Sequence, residues 1–387
     1  MNETNDKSKI TDPSFKGAAG GLRIIIAGGG TGGHIFPAVA IAGALIRQSP
    51  GTELLFVGAK GKMEMEKIPQ AGYKIEGIDI AGFNRSSLIK NIGLPWKLLK
   101  SFFQVRNIIQ SFMPDAVVGV GGYSSFPVLR YAQAKGIPTF IHESNSFAGK
   151  SNILLGKKAN KIFVASDGME KFFPADKLLL TGNPVRRSIV GSAISRSEGL
   201  QFFGLRTDRT TVLATGGSLG ARSINEALAT HLDDLEKNEL QLIWQTGRTT
   251  AAEYINKGKE KKNVWVSDFI GQMEMAYAAA DVVISRSGAM SVAELCVAKK
   301  AAVFVPFPHA AEDHQTANAQ HLLDKHAGLL VKDSEAREKL TDTVIALSRD
   351  DNKLKELKEN IGRLAVTNAD DVIAKEIIGE IARIVRV

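Results

Sequence analysis

The chain reads as two tandem doubly wound α/β domains, each built on a parallel sheet, with a cleft between them. Three observations carry that reading. Short continuous apolar runs alternate with helical patterns along nearly all of the 387 residues, as strands buried on both faces require. The alternation pauses over a small, polar stretch at 188–200 and then starts again. Both series open alike, with a strand, a glycine turn and a helix. A chain of this length is expected to hold two or three domains. The expected divisions are a tail over 1–20, an N-terminal domain over 21–186, a C-terminal domain over 187–364 and a final helical segment over 365–387.

Taken in order, residues 1–20 are polar and mixed in charge, with no apolar centre. That excludes a signal peptide and suits a disordered tail. Apolar runs at 22–28, 53–58, 116–120, 138–142, 161–165 and 178–181 are the strands expected in the first domain. Gly182-Asn183-Pro184-Val185-Arg186 closes that series, and 188–200 is expected as a connection. The second series comprises 211–215, 241–245, 263–266, 281–285, 301–305 and 328–331. A last amphipathic helix begins at Ala369, with Val372, Ile373, Ile377, Ile378, Ile381, Ile384 and Val385 at helical spacing.

Composition bounds the function only loosely. Hydrophobic residues make up 44% and charged residues 23%, and the net charge is +8. A basic chain suits an acidic partner: a nucleotide, a phospholipid surface or nucleic acid. The single cysteine, Cys296, lies in an apolar helical stretch and excludes an internal disulfide. It reads as a core residue in a reducing compartment. No apolar run is long enough to span a bilayer.

The chemistry gathers at strand ends. Gly28-Gly29-Gly30-Thr31-Gly32-Gly33-His34 follows the first strand, and a helix is expected from near Pro37. Such a loop brings backbone N–H groups to an anion at a helix N-terminus, and His34 supplies a base near neutral pH. Gly28-x-Gly30-x-x-Gly33 matches the dinucleotide fingerprint, but the second strand ends Val57-Gly58-Ala59-Lys60, without the acid that would hold a ribose hydroxyl. A nicotinamide enzyme is therefore disfavoured, and so is a P-loop enzyme, whose signature is missing. Gly121-Gly122-Tyr123 forms a second turn on the same edge, able to grip a pyrophosphate from the other side. His142-Glu143-Ser144-Asn145 suits sugar hydroxyls or the orientation of a base, and equally a helix cap through Ser144 or Asn145.

In the second half, Gly216-Gly217-Ser218-Leu219-Gly220 and Ser285-Arg286-Ser287-Gly288 again lead from strand to helix. Helix-start N–H groups there can receive a phosphate, with Arg286 adding charge and Glu294 accepting two ribose hydroxyls. His309, Glu312, Asp313 and His314 fit no standard zinc spacing, and the chain contains no Asp-x-Asp. No metal and no cofactor is therefore expected. Residues 83–112 are basic and apolar, with no acid between Arg85 and Pro114. Both a core-facing helix and a membrane-surface patch fit that pattern.

Taken together and in this order, these motifs resemble the MurG family of bacterial peptidoglycan glycosyltransferases over roughly residues 22–385. The resemblance rests on 29–34 with Phe36-Pro37-Ala38, on 121–123, 142–145, 182–186 and 216–222, on Arg286-Ser287-Gly288-Ala289, and on Pro306-Phe307 with Gln315 and Asn318. Ser144 stands where many members carry glutamine, and the stretch after Phe307 is longer than in many. The resemblance implies two Rossmann-like domains of the GT-B class, with UDP-N-acetylglucosamine on the C-terminal domain. It implies a lipid-linked acceptor, lipid I, on the N-terminal domain at the cytoplasmic membrane face, and a last helix crossing back onto that domain. Donor contacts carried over by position fall on Thr31, Gly32, Gly33, Asn145, Arg186, Ser218, Ile270, Ala289, Met290, Ser291, Val292, Ala293, Glu294 and Gln315.

The implied reaction is inverting transfer of N-acetylglucosamine to the muramyl 4-hydroxyl, giving lipid II. His34 is the leading base, with Glu143 or a water as the alternative. The expected partners are the two substrates and an anionic phospholipid surface, with peripheral attachment. Another UDP-sugar transferase of the same fold is the nearest competitor. Nucleic acid is not expected, because the polar residues gather at strand ends and not on one charged face.

Overall fold

The computed structural model describes residues 21–81, 94–248, 251–310 and 313–385. The tail over 1–20, the first part of the basic apolar segment and Glu312 lie outside the described residues.

Strands β1 (Arg23–Ala27), β2 (Glu53–Ala59), β3 (Lys74–Ile78), β4 (Ala116–Gly119), β5 (Thr139–Glu143), β6 (Lys161–Val164) and β7 (Leu178–Leu180) form the first sheet. Their order is β3-β2-β1-β4-β5-β6-β7. Strands β8 (Thr211–Thr215), β9 (Gln241–Gln245), β10 (Val264–Ser267), β11 (Val282–Ser285), β12 (Ala301–Phe304) and β13 (Leu329–Leu330) form the second, in the order β10-β9-β8-β11-β12-β13. Pairing is parallel throughout both sheets. Every residue of β4, β5, β8 and β9 is buried, which is why their sequences read as unbroken runs. This is the two-sheet α/β architecture the sequence predicts.

The strand order reverses direction at β1/β4 in the first sheet and at β8/β11 in the second. Ala27 lies beside Gly119, and Thr215 beside Ser285. The loops leaving these four strand ends are therefore neighbours in pairs, at the place where ligands of open sheets bind.

Three local differences from the sequence reading have clear causes. β3 is an edge strand whose alternating exposure (Lys74 and Glu76 outward, Ile78 buried) breaks the continuous apolar pattern. Part of the 188–200 stretch is helical. The helix Arg196–Phe203 starts from a capping box in which Ser195 accepts from the Glu198 N–H and Glu198 accepts from the Ser195 N–H. The first helix starts at Gly32, not near Pro37: it spans Gly32–Gln48 from an extended Thr31, and Pro37 lies inside it. Pro37 removes only the N–H that would reach the Gly33 carbonyl, close enough to the helix start to be tolerated.

The helix Ala369–Val385 packs on Gly32–Gln48, with Ile373, Ile377 and Ile381 in one core with Ile24, Ile41 and Leu45. Asp370 joins this contact by accepting from Arg47 at 2.8 Å and Arg187 at 3.1 Å. The path between the domains at Arg187 is thus pinned to the last helix.

Candidate active site

Three helices begin at the switch-point loops: Gly32–Gln48, Arg222–Thr230 and Ala289–Ala298. None has a side-chain cap, and none has an acidic residue in its first turn. Uncapped, acid-free helix starts keep their donors and dipole for an anion from outside. The Gly32–Gln48 and Ala289–Ala298 helices also approach one another across the cleft.

His34 is the third residue of its helix and is half-buried. Its Nδ1 lies 3.0 Å from the Gly29 carbonyl. A carbonyl only accepts, so Nδ1 carries the hydrogen and Nε2 holds the lone pair. Burial pulls the imidazole pKa below the ordinary 6.5, against the opposing pull of Glu143, the Gly29 carbonyl and Glu64. The ring is therefore neutral and basic at Nε2 near pH 7. Gly121 makes room for it: with φ +94°, a Cβ there would sit 2.8 Å from His34 Nε2. Gly122 is pressed as closely on the Gly29 carbonyl, so the two glycine loops of the first sheet interlock.

His142 and Glu143 end β5 and are buried. Burial lowers the His142 pKa to about 4, with His34 adding to the shift. Glu143 accepts from Asn145 N–H at 3.1 Å, Asn145 Nδ2 at 3.2 Å, Gly149 N–H at 3.1 Å and Asn152 Nδ2 at 2.8 Å. Its carboxylate is spent on shaping the 144–152 loop and on orienting Asn145.

Glu294 is buried in the helix Ala289–Ala298. Its Oε1 accepts from Arg186 Nε at 3.2 Å and Nη2 at 3.0 Å, and its Oε2 from the Tyr277 hydroxyl at 3.0 Å. The Arg186 guanidinium also lies over the Phe36 ring, 4.1 Å from its centroid. Arg186 thus ties the helix of the first glycine loop to the helix carrying Glu294.

Arg286 departs from expectation. It donates to the carbonyls of Val305 at 2.9 Å and Pro306 at 3.1 Å and pairs with Asp333. It holds the loop after β12 in place and has no charge to spare for a phosphate. Gln315 and Asn318 are fixed through a residue that sequence reasoning left without a role, Ser287. The Ser287 hydroxyl donates to the Gln315 carbonyl at 2.7 Å, and the Ser287 carbonyl accepts from Asn318 Nδ2 at 3.0 Å. Gln315 Oε1 takes the Phe307 N–H at 3.1 Å.

Among the other candidates, Thr31 is exposed, while Gly32, Gly33, Ser218, Ala289, Ser291, Val292 and Ala293 are half-buried at or just behind the helix starts. Met290 and Ile270 are buried, and the Ile270 N–H donates to Gln245 Oε1 at 3.0 Å. Among the described residues, no group of three or more His, Cys, Asp or Glu side chains is placed to hold a metal ion.

Two parallel-sheet domains whose switch points face each other across a cleft, with open helix starts on both sides, define the GT-B class of glycosyltransferase. The glycosyltransferase family 28 N-terminal domain matches residues 24–164 and its C-terminal domain residues 211–376. A protein of Bacteroides thetaiotaomicron named as a UDP-N-acetylglucosamine–N-acetylmuramyl-(pentapeptide) pyrophosphoryl-undecaprenol N-acetylglucosamine transferase is 52% identical, over 92% of this chain and 97% of its own. A protein of the same name from Phocaeicola vulgatus is 50% identical, over 92% and 96%. The crystal structure of Acinetobacter baumannii MurG superposes with a TM-score of 0.68 at 31% identity, covering 92% of this chain and 99% of that one. The chain belongs to glycosyltransferase family 28, in the MurG group that these relatives represent. The resemblance read from the motifs is borne out.

Proposed function

We infer that this chain transfers N-acetylglucosamine from UDP-N-acetylglucosamine to the muramyl 4-hydroxyl of undecaprenyl-pyrophosphoryl-N-acetylmuramoyl-pentapeptide, turning lipid I into lipid II. The observation that carries this is identity of about half the residues, over nearly the whole length, to relatives bearing that name. The geometry supplies a means. Helix starts at 222 and 289 receive the diphosphate of the donor, and their dipoles take up its charge as UDP leaves. Glu294 accepts the ribose hydroxyls. The acceptor hydroxyl approaches from the first domain, where His34 Nε2 takes its proton as the oxygen attacks the anomeric carbon. Attack opposite the leaving UDP inverts that centre. Thr31, Gly32 and Gly33 at the start of the first helix, and Asn145 after β5, contact the donor from the first domain, as the resemblance implies.

The test is a UDP-release assay with UDP-N-acetylglucosamine and a lipid I analogue. UDP-galactose and UDP-glucose are the controls. Turnover that prefers either control, or that ignores the acceptor, would retire this reading in favour of another sugar transferase of the same fold.

The acceptor's lipid calls for a membrane surface. No helix among the described residues is long and apolar enough to cross a membrane. The helix Leu94–Phe112 serves instead as a peripheral docking element on the cytoplasmic side. Its Ser101, Val105 and Ile109 are buried, while Trp96, Leu99 and Phe103 are exposed at 72%, 49% and 60%. The exposed set recurs every three or four residues, with Arg106 exposed on the same face. Lys100 contributes less charge than the sequence suggests, because Asp79 pairs with it at 3.0 Å. Replacing Trp96, Phe103 and Arg106 together by alanine is expected to weaken binding to anionic vesicles at least about a hundredfold, at about 1 kcal/mol for the charge and more for each ring. Turnover of a short-chain, soluble acceptor should be unchanged. Vesicle binding indifferent to these substitutions and to salt places the docking surface elsewhere.

A further inference from the structure

Beneath the first glycine loop lies a carboxylate that the motifs do not announce. Glu64 opens the helix Glu64–Gln70 and is 1% exposed. It is packed between two glycines: a Cβ on Gly29 would sit 2.4 Å from its carboxyl carbon, and one on Gly58 2.5 Å from its Cγ. Both of its partners are backbone amides, not cations. Oε1 accepts the Ala59 N–H at 3.0 Å, and Oε2 the Gly30 N–H at 2.8 Å.

The Gly30 N–H and the Gly29 carbonyl belong to one peptide group. That carbonyl accepts the His34 Nδ1–H at 3.0 Å. Carboxylate, peptide and imidazole therefore stand in series. We propose that Glu64 is a positioning residue for the base, acting on His34 through the Gly29–Gly30 peptide group. The proposal rests on the reading of His34 as the base.

A carboxylate bonded to an amide N–H draws the amide's electrons toward its carbonyl oxygen, and hydrogen bonds in series strengthen one another by about 10–30%. The Gly29 carbonyl thereby becomes a stronger acceptor. It fixes the tautomer with the lone pair on Nε2 and stabilises the imidazolium that forms when Nε2 takes a proton. The acid of a Ser-His-Asp triad does the same by direct contact. A buried carboxylate under an anion-binding loop is otherwise a poor choice, since it repels the ligand. Its charge has a use if a cation develops one peptide group away.

The groups facing His34 from its neighbours are Glu143 and His142 at the end of β5, Glu64, and Tyr123 beside Gly30. Glu64 and Glu143 both favour the protonated ring. Glu143 is held by donors of its own loop, so its field stays constant when Glu64 is changed.

The experiment compares the full chain with Glu64→Gln, by 15N-histidine titration and by the pH profile of kcat with a lipid I analogue. Glutamine offers one acceptor oxygen to two amide donors and carries no charge. The His34 titration is expected to move to lower pH, and the acid limb of kcat with it. Plateau kcat should fall roughly ten- to hundredfold, by analogy with the loss of a group that orients a metal-bound imidazole. The KM for UDP-N-acetylglucosamine should hold. Glu64→Asp, which keeps the charge, should leave the limb near its wild-type position. In a His34→Ala background, Glu64→Gln should remove nothing more. An unmoved His34 titration, or an equal loss in the His34→Ala background, overturns the proposal and makes Glu64 a loop support. If Glu64→Gln does not fold, the wild-type tautomer decides: hydrogen on Nε2 at neutral pH overturns it, and hydrogen on Nδ1 together with the Glu64→Asp result upholds it. The titration needs no acceptor, so a wild type that fails to turn over lipid I refutes the transfer reading separately.

Discussion

His34→Ala is expected to lower kcat on the order of 100- to 10,000-fold, while UDP affinity and melting temperature stay close to wild type. The side chain is half-buried, and its ring makes a hydrogen bond only five positions away in its own loop, to the Gly29 carbonyl. Removing it costs chemistry before it costs fold. The pH dependence separates a base from a binding group. A protonated imidazole cannot accept the acceptor's proton, so the rate falls as pH falls through the His34 pKa. Burial places that pKa below 6.5, and the acid limb lies there too. The variant should lose the limb. The rival base, Glu143, is already engaged by Asn145, Gly149 and Asn152. Glu143→Gln should therefore disturb the 144–152 loop and raise KM without removing the acid limb. If His34→Ala keeps the limb, or loses only acceptor KM, the proton goes to Glu143 or to water.

What the sequence reveals follows from how local each signal is. Twelve of the described strands were legible as short apolar runs, most directly the central ones, which are buried on both faces and so must be apolar throughout. β3 was not, because an edge strand with Lys74 and Glu76 outward looks like an ordinary polar segment. The helix Arg196–Phe203 had a readable signal in Ser195-x-x-Glu198, hidden by its low hydrophobicity. The glycine loops and His34 were legible because loop chemistry is contiguous in sequence. The groups that orient them are not. Glu64 lies 34 positions from the Gly30 amide it holds, and Arg186 lies 108 positions from Glu294. Nothing in the neighbourhood of a glutamate tells whether it is solvated, as most are, or folded under a distant loop. Arg286 shows the converse error. A cation beside a helix start suggests a phosphate, but Asp333 and two carbonyls claim it first.

Glu294→Gln is expected to weaken UDP binding by about 1.5–3 kcal/mol, the worth of a hydrogen bond to a charged group, which is roughly a ten- to hundredfold rise in Kd. The carboxylate sits two turns below an uncapped helix start, where a diphosphate would place a ribose within its reach. In the structure it is already held by Arg186 and Tyr277. Tyr277, buried beneath it, keeps one oxygen aimed. Arg186, on the connection leaving β7, takes the other and must share it with an arriving hydroxyl. Alanine is a poor probe here. It strands a guanidinium and a phenol in a buried site, and breaking such a pair costs about 3–5 kcal/mol of stability. Glutamine keeps the shape and an acceptor oxygen but gives up the charge. Calorimetry on the folded variant gives the answer. A Kd for UDP equal to wild type would remove Glu294 from the donor site and leave it as a strut, joining the two domains through Arg186 and the Phe36 ring.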